Sequence, residues 1–187
     1  IIALVLTMAS SLILGMGLPT AAAYILVATL TAPALVTMGV DLMAAHMFVF
    51  YSAMLSSITP PVALAAFAAA AISREPPMRV AMISVKYGFV AFLLPYFFVL
   101  EPRLLLMGTL GEAIGVFLMA AIGIVTLACV LQGYAMGSLS WLTRSVLAVA
   151  SLCLLMPEIS LKIIGIAIIL AILIAWKIGQ TLKKDSA

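Results

Sequence analysis

The chain is a succession of apolar runs broken by glycine, proline and charge, with a polar loop at 73–79 and a polar tail. The runs cover residues 1–14, 21–38, 42–58, 62–72, 80–100, 112–131, 139–156 and 159–176. A helix that crosses a bilayer needs about 20 apolar residues, so some of these runs can cross and others are too short. Transmembrane barrels are built from segments of about ten residues that alternate lipid-facing with lumen-facing side chains, whereas these runs are apolar on every side. No water is present in the bilayer to satisfy the backbone, so each run must bond within itself as a helix. Composition leads to the same place: 67% of residues are hydrophobic, 8% are charged and the mean hydropathy is +1.38. A soluble domain carries about 25% charge. A water-soluble domain, a disordered chain and a nucleic-acid binder are excluded, and an all-α polytopic membrane protein is expected.

The chain begins at Ile1 already inside an apolar run, with no basic n-region and no A-x-A site. The stretch is therefore not read as a signal peptide, and the chain is expected to be a C-terminal fragment of a longer protein. Cys129 and Cys153 lie inside apolar runs and read as small packing residues rather than a disulfide or metal site.

Length sorts the first half of the chain. Residues 41–73 would form a straight helix of about 50 Å at 1.5 Å per residue, against a hydrocarbon core of about 30 Å. Two full crossings do not fit either, because 62–72 is too short. One long crossing interrupted near its middle does fit, and Pro60 and Pro61 supply the interruption: neither has an N–H, and Pro60 drives Thr59 out of helical geometry. The run 1–14 covers about 21 Å at the same rise. The sequence GMGLPT, 15–20, is then either the tip of a re-entrant hairpin or a tight loop after a spanning helix.

Lys and Arg accumulate in cytoplasmic loops. Arg74, Arg79, Arg144, Lys177, Lys183 and Lys184 fall on one side of the membrane, and only Arg103 and Lys162 on the other. The C-terminus is therefore expected in the cytoplasm, and a hairpin tipped by 15–20 would enter from outside.

Irregular backbone within a membrane is tolerated only where protein buries it or where it lines a cavity. The two candidates are 15–20 and 56–61. Gly15 and Gly17 let carbonyls turn away from helical partners, and Pro19 suits the start of the next helix. Ser56, Ser57 and Thr59 set hydroxyls beside the carbonyls that Pro60 frees. Neutral oxygens suit Na⁺, and the N-termini of helices restarting at Pro19 and Pro61 suit an anion. Broken helices with such ends are how many secondary transporters hold substrate and coupling ion. The competing reading is a structural kink whose Ser and Thr hydroxyls satisfy their own helix.

The stretch LGMGLPTAAAYILVATLTAPALVTMGVDLMAAHMFVFYSAMLSSITPPVALAAFAAAAI, residues 14–72, resembles the second-repeat core of the large membrane subunit of the tripartite ATP-independent periplasmic (TRAP) transporters. Its variant is most similar to the fused permeases that work with TAXI-type solute-binding proteins, and 112–176 resembles the C-terminal extension of those permeases. The resemblance implies an elevator-type secondary transporter. It implies a transport core over 1–100, made of an outward-opening re-entrant hairpin (1–38), a broken helix (41–73) and a transmembrane helix (78–100). An extension over 101–187 would add three transmembrane helices and a basic cytoplasmic tail. It further implies Na⁺ as coupling ion, held in the region of Gly15, Gly17, Pro19, Thr20, Ser56, Ser57, Thr59 and Pro60, an organic-acid substrate, and a periplasmic binding protein as partner. The rest of the permease would supply the first repeat, and the setting would be a bacterial or archaeal inner membrane.

Other residues carry two readings each. His46, the only histidine, is a hydrogen-bonded packing residue or a proton- or substrate-sensing one. Asp41 is an N-cap or an intramembrane acid. Tyr24 and Tyr51 pack between helices or face a cavity, and Lys86 snorkels or pairs with an acid. Glu112 complements a helix N-terminus, and Trp141 and Trp176 read as interfacial anchors. With one histidine, no paired intramembrane aspartates and no HExxH, the chain lacks the groups of known hydrolytic chemistry and is not expected to be an enzyme. A non-catalytic membrane scaffold is the alternative to a permease.

Overall fold

A computed structural model describes the backbone of residues 1–135 and 137–185 and the side chains among these as far as 176; the side chains of Lys177, Lys183 and Lys184 lie outside it. Among the described residues there are eight α-helices and two short 3₁₀ turns, and no strands. The chain forms two compact units, Ile1–Met107 and the part from Gly108 onward.

In the first unit, α1 (Ile2–Gly15) and α2 (Thr20–Thr37) form a hairpin. The chain then runs through α3 (Leu42–Leu55), the 3₁₀ turn Ser56–Ile58, α4 (Leu64–Ser73) and α5 (Pro77–Leu100). Small and β-branched residues let these helices approach closely. Val27, Leu35, Phe48 and Val49 are fully buried between α2 and α3, with Leu4 and Met8 of α1 joining them. Helix α5 closes this core with Phe92, Tyr96 and Val99, and the Tyr96 ring stands edge-on to Phe48 with centroids 5.3 Å apart. The turn into α3 is fixed by local chemistry. Gly39 takes φ +89, and the Val40 N–H reaches back to the Leu35 carbonyl, a Schellman closure. Asp41 then accepts from the Met43 and Ala44 N–H groups as the N-cap of α3.

The second unit is a three-helix array: α6 (Leu110–Gln132), α7 (Trp141–Leu155) and α8 (Ile159–Asp185). Thr109 accepts from the Glu112 N–H and starts α6, with the Glu112 carboxylate in the first turn where the helix dipole favours it. Gly123 of α6 lies against the Ser151 carbonyl and Leu155 of α7, and Gly165 of α8 lies against the Ala150 carbonyl. The run 139–156 yields a shorter helix than its apolar length suggests. Ser140 caps at one end and Met156, before Pro157, stops the other, leaving 15 residues, about 22 Å.

Arg144 is not a free loop cation. Its Nε donates to the Val130 carbonyl at 2.9 Å and a terminal nitrogen to that of Leu131 at 3.4 Å. A positive group thus satisfies the last carbonyls of α6 where the dipole is negative. Arg144→Met is expected to destabilise the protein by about 1.5–3 kcal/mol, the worth of hydrogen bonds to a charged group. Ser145→Ala, which removes only an exposed bond to the Trp141 carbonyl, is the neutral control in thermal unfolding of the purified protein.

Among the described residues, four helices are long and apolar enough to cross a membrane: Thr20–Thr37, Pro77–Leu100, Leu110–Gln132 and Ile159–Trp176. Ile13, Ile25, Leu30, Phe117 and Ile163 are among the many large apolar side chains left exposed along the helices, as lipid contact requires. The molecule is an all-α, multi-pass membrane protein.

Candidate functional site

The two helix breaks meet. Helix α1 ends at Gly15, and the tip turns through Gly17 at φ +79, where a residue without Cβ is at no disadvantage. The Leu18 N–H closes onto the Gly15 carbonyl, and α2 begins once Pro19 has offered its carbonyl to Ala23. The second break starts with the Ser56–Ile58 turn, passes through extended Thr59 and the cis Pro60–Pro61 peptide, and reaches Ala63 in the left-handed region at φ +34. A Cβ on Gly15 would stand 2.8 Å from the Ser56 Oγ and 3.3 Å from the Ala53 carbonyl oxygen. One on Gly17 would stand 3.6 Å from a Val62 methyl. The tip is thus pressed directly on the break.

The hydroxyls of the break all donate backward. Ser56 Oγ donates to the Ala53 carbonyl at 2.6 Å, Ser57 Oγ to that of Met54 at 2.7 Å, and Thr59 Oγ1 to that of Leu55 at 2.8 Å. A hydroxyl has one proton, so each of these oxygens keeps lone pairs for another partner. The Thr59 N–H takes the Ser56 carbonyl. Pro61 has no N–H for the Ser57 carbonyl, which a continuous helix would have bonded. Ser57 and Thr59 are half-buried, whereas Ser56 is buried beneath Gly15. Neutral oxygens are therefore gathered at one unwound turn. Among the described residues no three His, Cys, Asp or Glu side chains come together, so an ion here would rest on neutral oxygens.

The expected site residues divide accordingly. Gly15 and Ser56 touch, and Gly17 reaches Val62. Ser57, Thr59 and Pro60 line the break, and Pro19 and Thr20 lie exposed at the tip. The restart of the broken helix is displaced from the sequence expectation: α4 begins at Leu64 rather than Pro61. The prolines cannot donate, and the Ala63 N–H is used to close a turn onto the Thr59 carbonyl. Val62 and the left-handed Ala63 were not anticipated, nor was Gly88 of α5, whose Cβ position lies 3.0 Å from Ile58. An isolated glycine inside an apolar run was the available signal for Gly88.

His46 and Tyr24 belong to each other. The tyrosine hydroxyl and His46 Nδ1 are 3.0 Å apart, a polar link between α2 and α3. Tyr51 packs edge-on against Phe50 and Phe98. Lys86 is exposed, its ammonium 5.9 Å from the Tyr87 ring centre.

A multi-pass helical protein with a helix–turn–helix hairpin seated on a broken helix has the architecture of a membrane permease. The family model described as "Tripartite ATP-independent periplasmic transporter, DctM component" matches residues 1–113. The chain belongs to that family, the large membrane component of TRAP transporters, which works with a periplasmic solute-binding protein and a small component. Comparison with curated proteins and with solved structures gave no match.

Proposed function

We propose that this chain carries the second inverted repeat of a Na⁺-coupled, elevator-type permease that imports an organic acid delivered by a TAXI-type binding protein. The cell is bacterial or archaeal, the membrane is the inner one and the C-terminus is cytoplasmic. In this reading 1–38 is the re-entrant hairpin, 41–73 the broken helix and 78–100 a transmembrane helix, with 101–187 as the extension. The observation that carries it is the seating of Gly15 on Ser56, which brings the tip and the break to one place in a lipid-embedded unit. Na⁺ takes the lone pairs of Ser57 and Thr59 and the carbonyl that Pro61 leaves without a donor. The substrate carboxylate faces the free N–H groups at the starts of α2 and α4, where helix dipoles favour negative charge. The upstream part of the permease completes the substrate site. The shared core of Val27, Phe48 and Val49 lets hairpin and broken helix move as one body.

The test is uptake into proteoliposomes with the cognate binding protein, measured against external Na⁺. Thr59→Val and Ser57→Ala are each expected to raise the half-saturating Na⁺ concentration about tenfold, equivalent to 1.4 kcal/mol. Elution as folded protein should be unchanged. An unaltered Na⁺ curve in both variants overturns the ion assignment and leaves the hydroxyls as caps of a kink.

A further inference from the structure

Two lengths fix the depth of the break in a bilayer. Between the break and the exposed, charged loop at 73–79 lies α4, whose 10 residues span about 15 Å. That is half of a hydrocarbon core of about 30 Å. Helix α5 leaves the same loop and meets the break at Gly88, where a Cβ would stand 3.0 Å from the Ile58 Cδ1. From Pro77 to Gly88 is about 16.5 Å at the same rise, so the two counts agree. The Lys86 backbone, just before Gly88, is within about 3 Å of that depth along α5. The step from 86 to 88 also turns about 200° around the helix, so Lys86 stands on the face opposite the break. Lys86 is exposed there, among the exposed side chains of Met82, Ile83 and Phe89.

An ammonium at this depth needs a partner that the described residues do not supply. It has three N–H donors, yet among these residues it meets only the Tyr87 ring, 5.9 Å from the centre, near the outer limit of about 6 Å for such a contact. The nearby acids are taken: Glu75 pairs with Arg79 at 3.0 Å and Glu101 with Arg103 at 2.6 Å. The hydroxyl of the exposed Tyr87 also has no hydrogen bond among the described residues. Snorkelling falls short. Lys86 lies about 13.5 Å along the helix from Pro77, and its stem recovers about one turn, ~5.4 Å. Ionisable side chains at such depth are costly, and they pair with one another or face a water-filled cavity. We propose that Lys86 forms an intramembrane ion pair with an Asp or Glu carboxylate on a transmembrane helix of the transporter outside this chain, with the Tyr87 hydroxyl donating to the same carboxylate. The opposite charge satisfies the ammonium, and Met82, Ile83 and Phe89 give the facing helix an apolar surface to pack on. The proposal rests on the reading of this chain as one part of a larger permease.

The test uses the assembled transporter, unaltered, reconstituted in vesicles with both faces open to reagent. Water-soluble and membrane-permeant carbodiimides join an amine to a carboxylate in contact with it, and peptide mapping by mass spectrometry identifies the pair. Lys86 is expected to be joined to an Asp or Glu outside residues 1–187. In Arg79→Lys the introduced amine lies beside Glu75, and its joining to that residue shows that the chemistry proceeds. The same variant sets the rate for an exposed loop amine: a membrane-impermeant acetylating reagent should modify Lys86 at least tenfold more slowly. Acetylation of Lys86 at the loop rate means that the ammonium reaches headgroups or water, and it overturns the proposal. Slow acetylation with no cross-link means a lysine facing hydrocarbon, and a cross-link to an acid of this chain means an internal pair; either overturns it too. Neither readout involves Na⁺, so this interface and the ion assignment fail separately.

Discussion

Gly15→Ala is expected to reduce the initial rate of uptake at least tenfold, and Gly15→Leu to abolish it. A Cβ at this position would lie 2.8 Å from the Ser56 Oγ, 3.2 Å from its Cβ and 3.3 Å from the Ala53 carbonyl oxygen. None of these atoms yields easily. The hydroxyl is held by its bond to Ala53 and the side chain is buried, while the third atom is backbone inside α3. The hairpin arm must therefore back away from the break, at a cost of about 1–3 kcal/mol for overpacking. The displaced tip no longer fixes the unwound turn on which the proposed ion and substrate contacts depend. The decisive measurement is a double-mutant cycle. Ser56→Gly removes the obstructing side chain, so Gly15→Ala/Ser56→Gly should recover much of the rate lost in Gly15→Ala alone. Rates that simply multiply would mean that the contact between the two breaks does not matter for transport. Gly17→Ala is a milder neighbour: its nearest atom stands at an ordinary 3.6 Å, leaving only the left-handed backbone, about 1–2 kcal/mol.

Much of this site is legible before any coordinates, because glycine and proline act on the backbone directly. Pro60 and Pro61 forbid a continuous helix wherever the rest of the chain folds, and Asp41 announces the start of α3 by its own hydrogen bonds. Where the chain recovers its helix is a different question. The restart at Leu64 depends on Ala63 adopting φ +34 and on a turn closed to Thr59, neither of which a side-chain pattern encodes. Pairings across helices are equally silent. That His46 finds Tyr24, and that Arg144 folds back onto α6, depends on how two helices are rotated about their axes. In runs that are apolar on every side no amphipathic stripe fixes that rotation in advance. The same uniformity hides where a helix stops. Apolar length alone makes 139–156 look like a full crossing, whereas Ser140 and Met156 trim it to 15 residues.

Gly165→Leu is expected to be the most damaging single change in that second unit. Lipid tails are as apolar as leucine, so helices within a bilayer gain nothing from hiding apolar surface and associate through close packing. Helix α7 is gripped between two glycines for this reason, but the grips are unequal. The Gly165 Cβ position lies 2.8 Å from the Ala150 carbonyl oxygen and 2.9 Å from Leu154 Cγ. At Gly123 the nearest atoms, Leu155 Cγ and the Ser151 carbonyl oxygen, stand at 3.2 Å, a separation that small shifts can relieve. A carbonyl in the middle of α7 cannot retreat without giving up its own helical bond, so leucine at 165 must push α8 away from α7. The loss should reach the upper end of the roughly 1–3 kcal/mol typical of overpacking, and for Gly165→Ala it should exceed that for Gly123→Ala. Thermal unfolding of these three single variants in one detergent tests the order directly. A larger loss at Gly123 would place the tighter contact between α6 and α7, and α8 would then be the looser partner of the array.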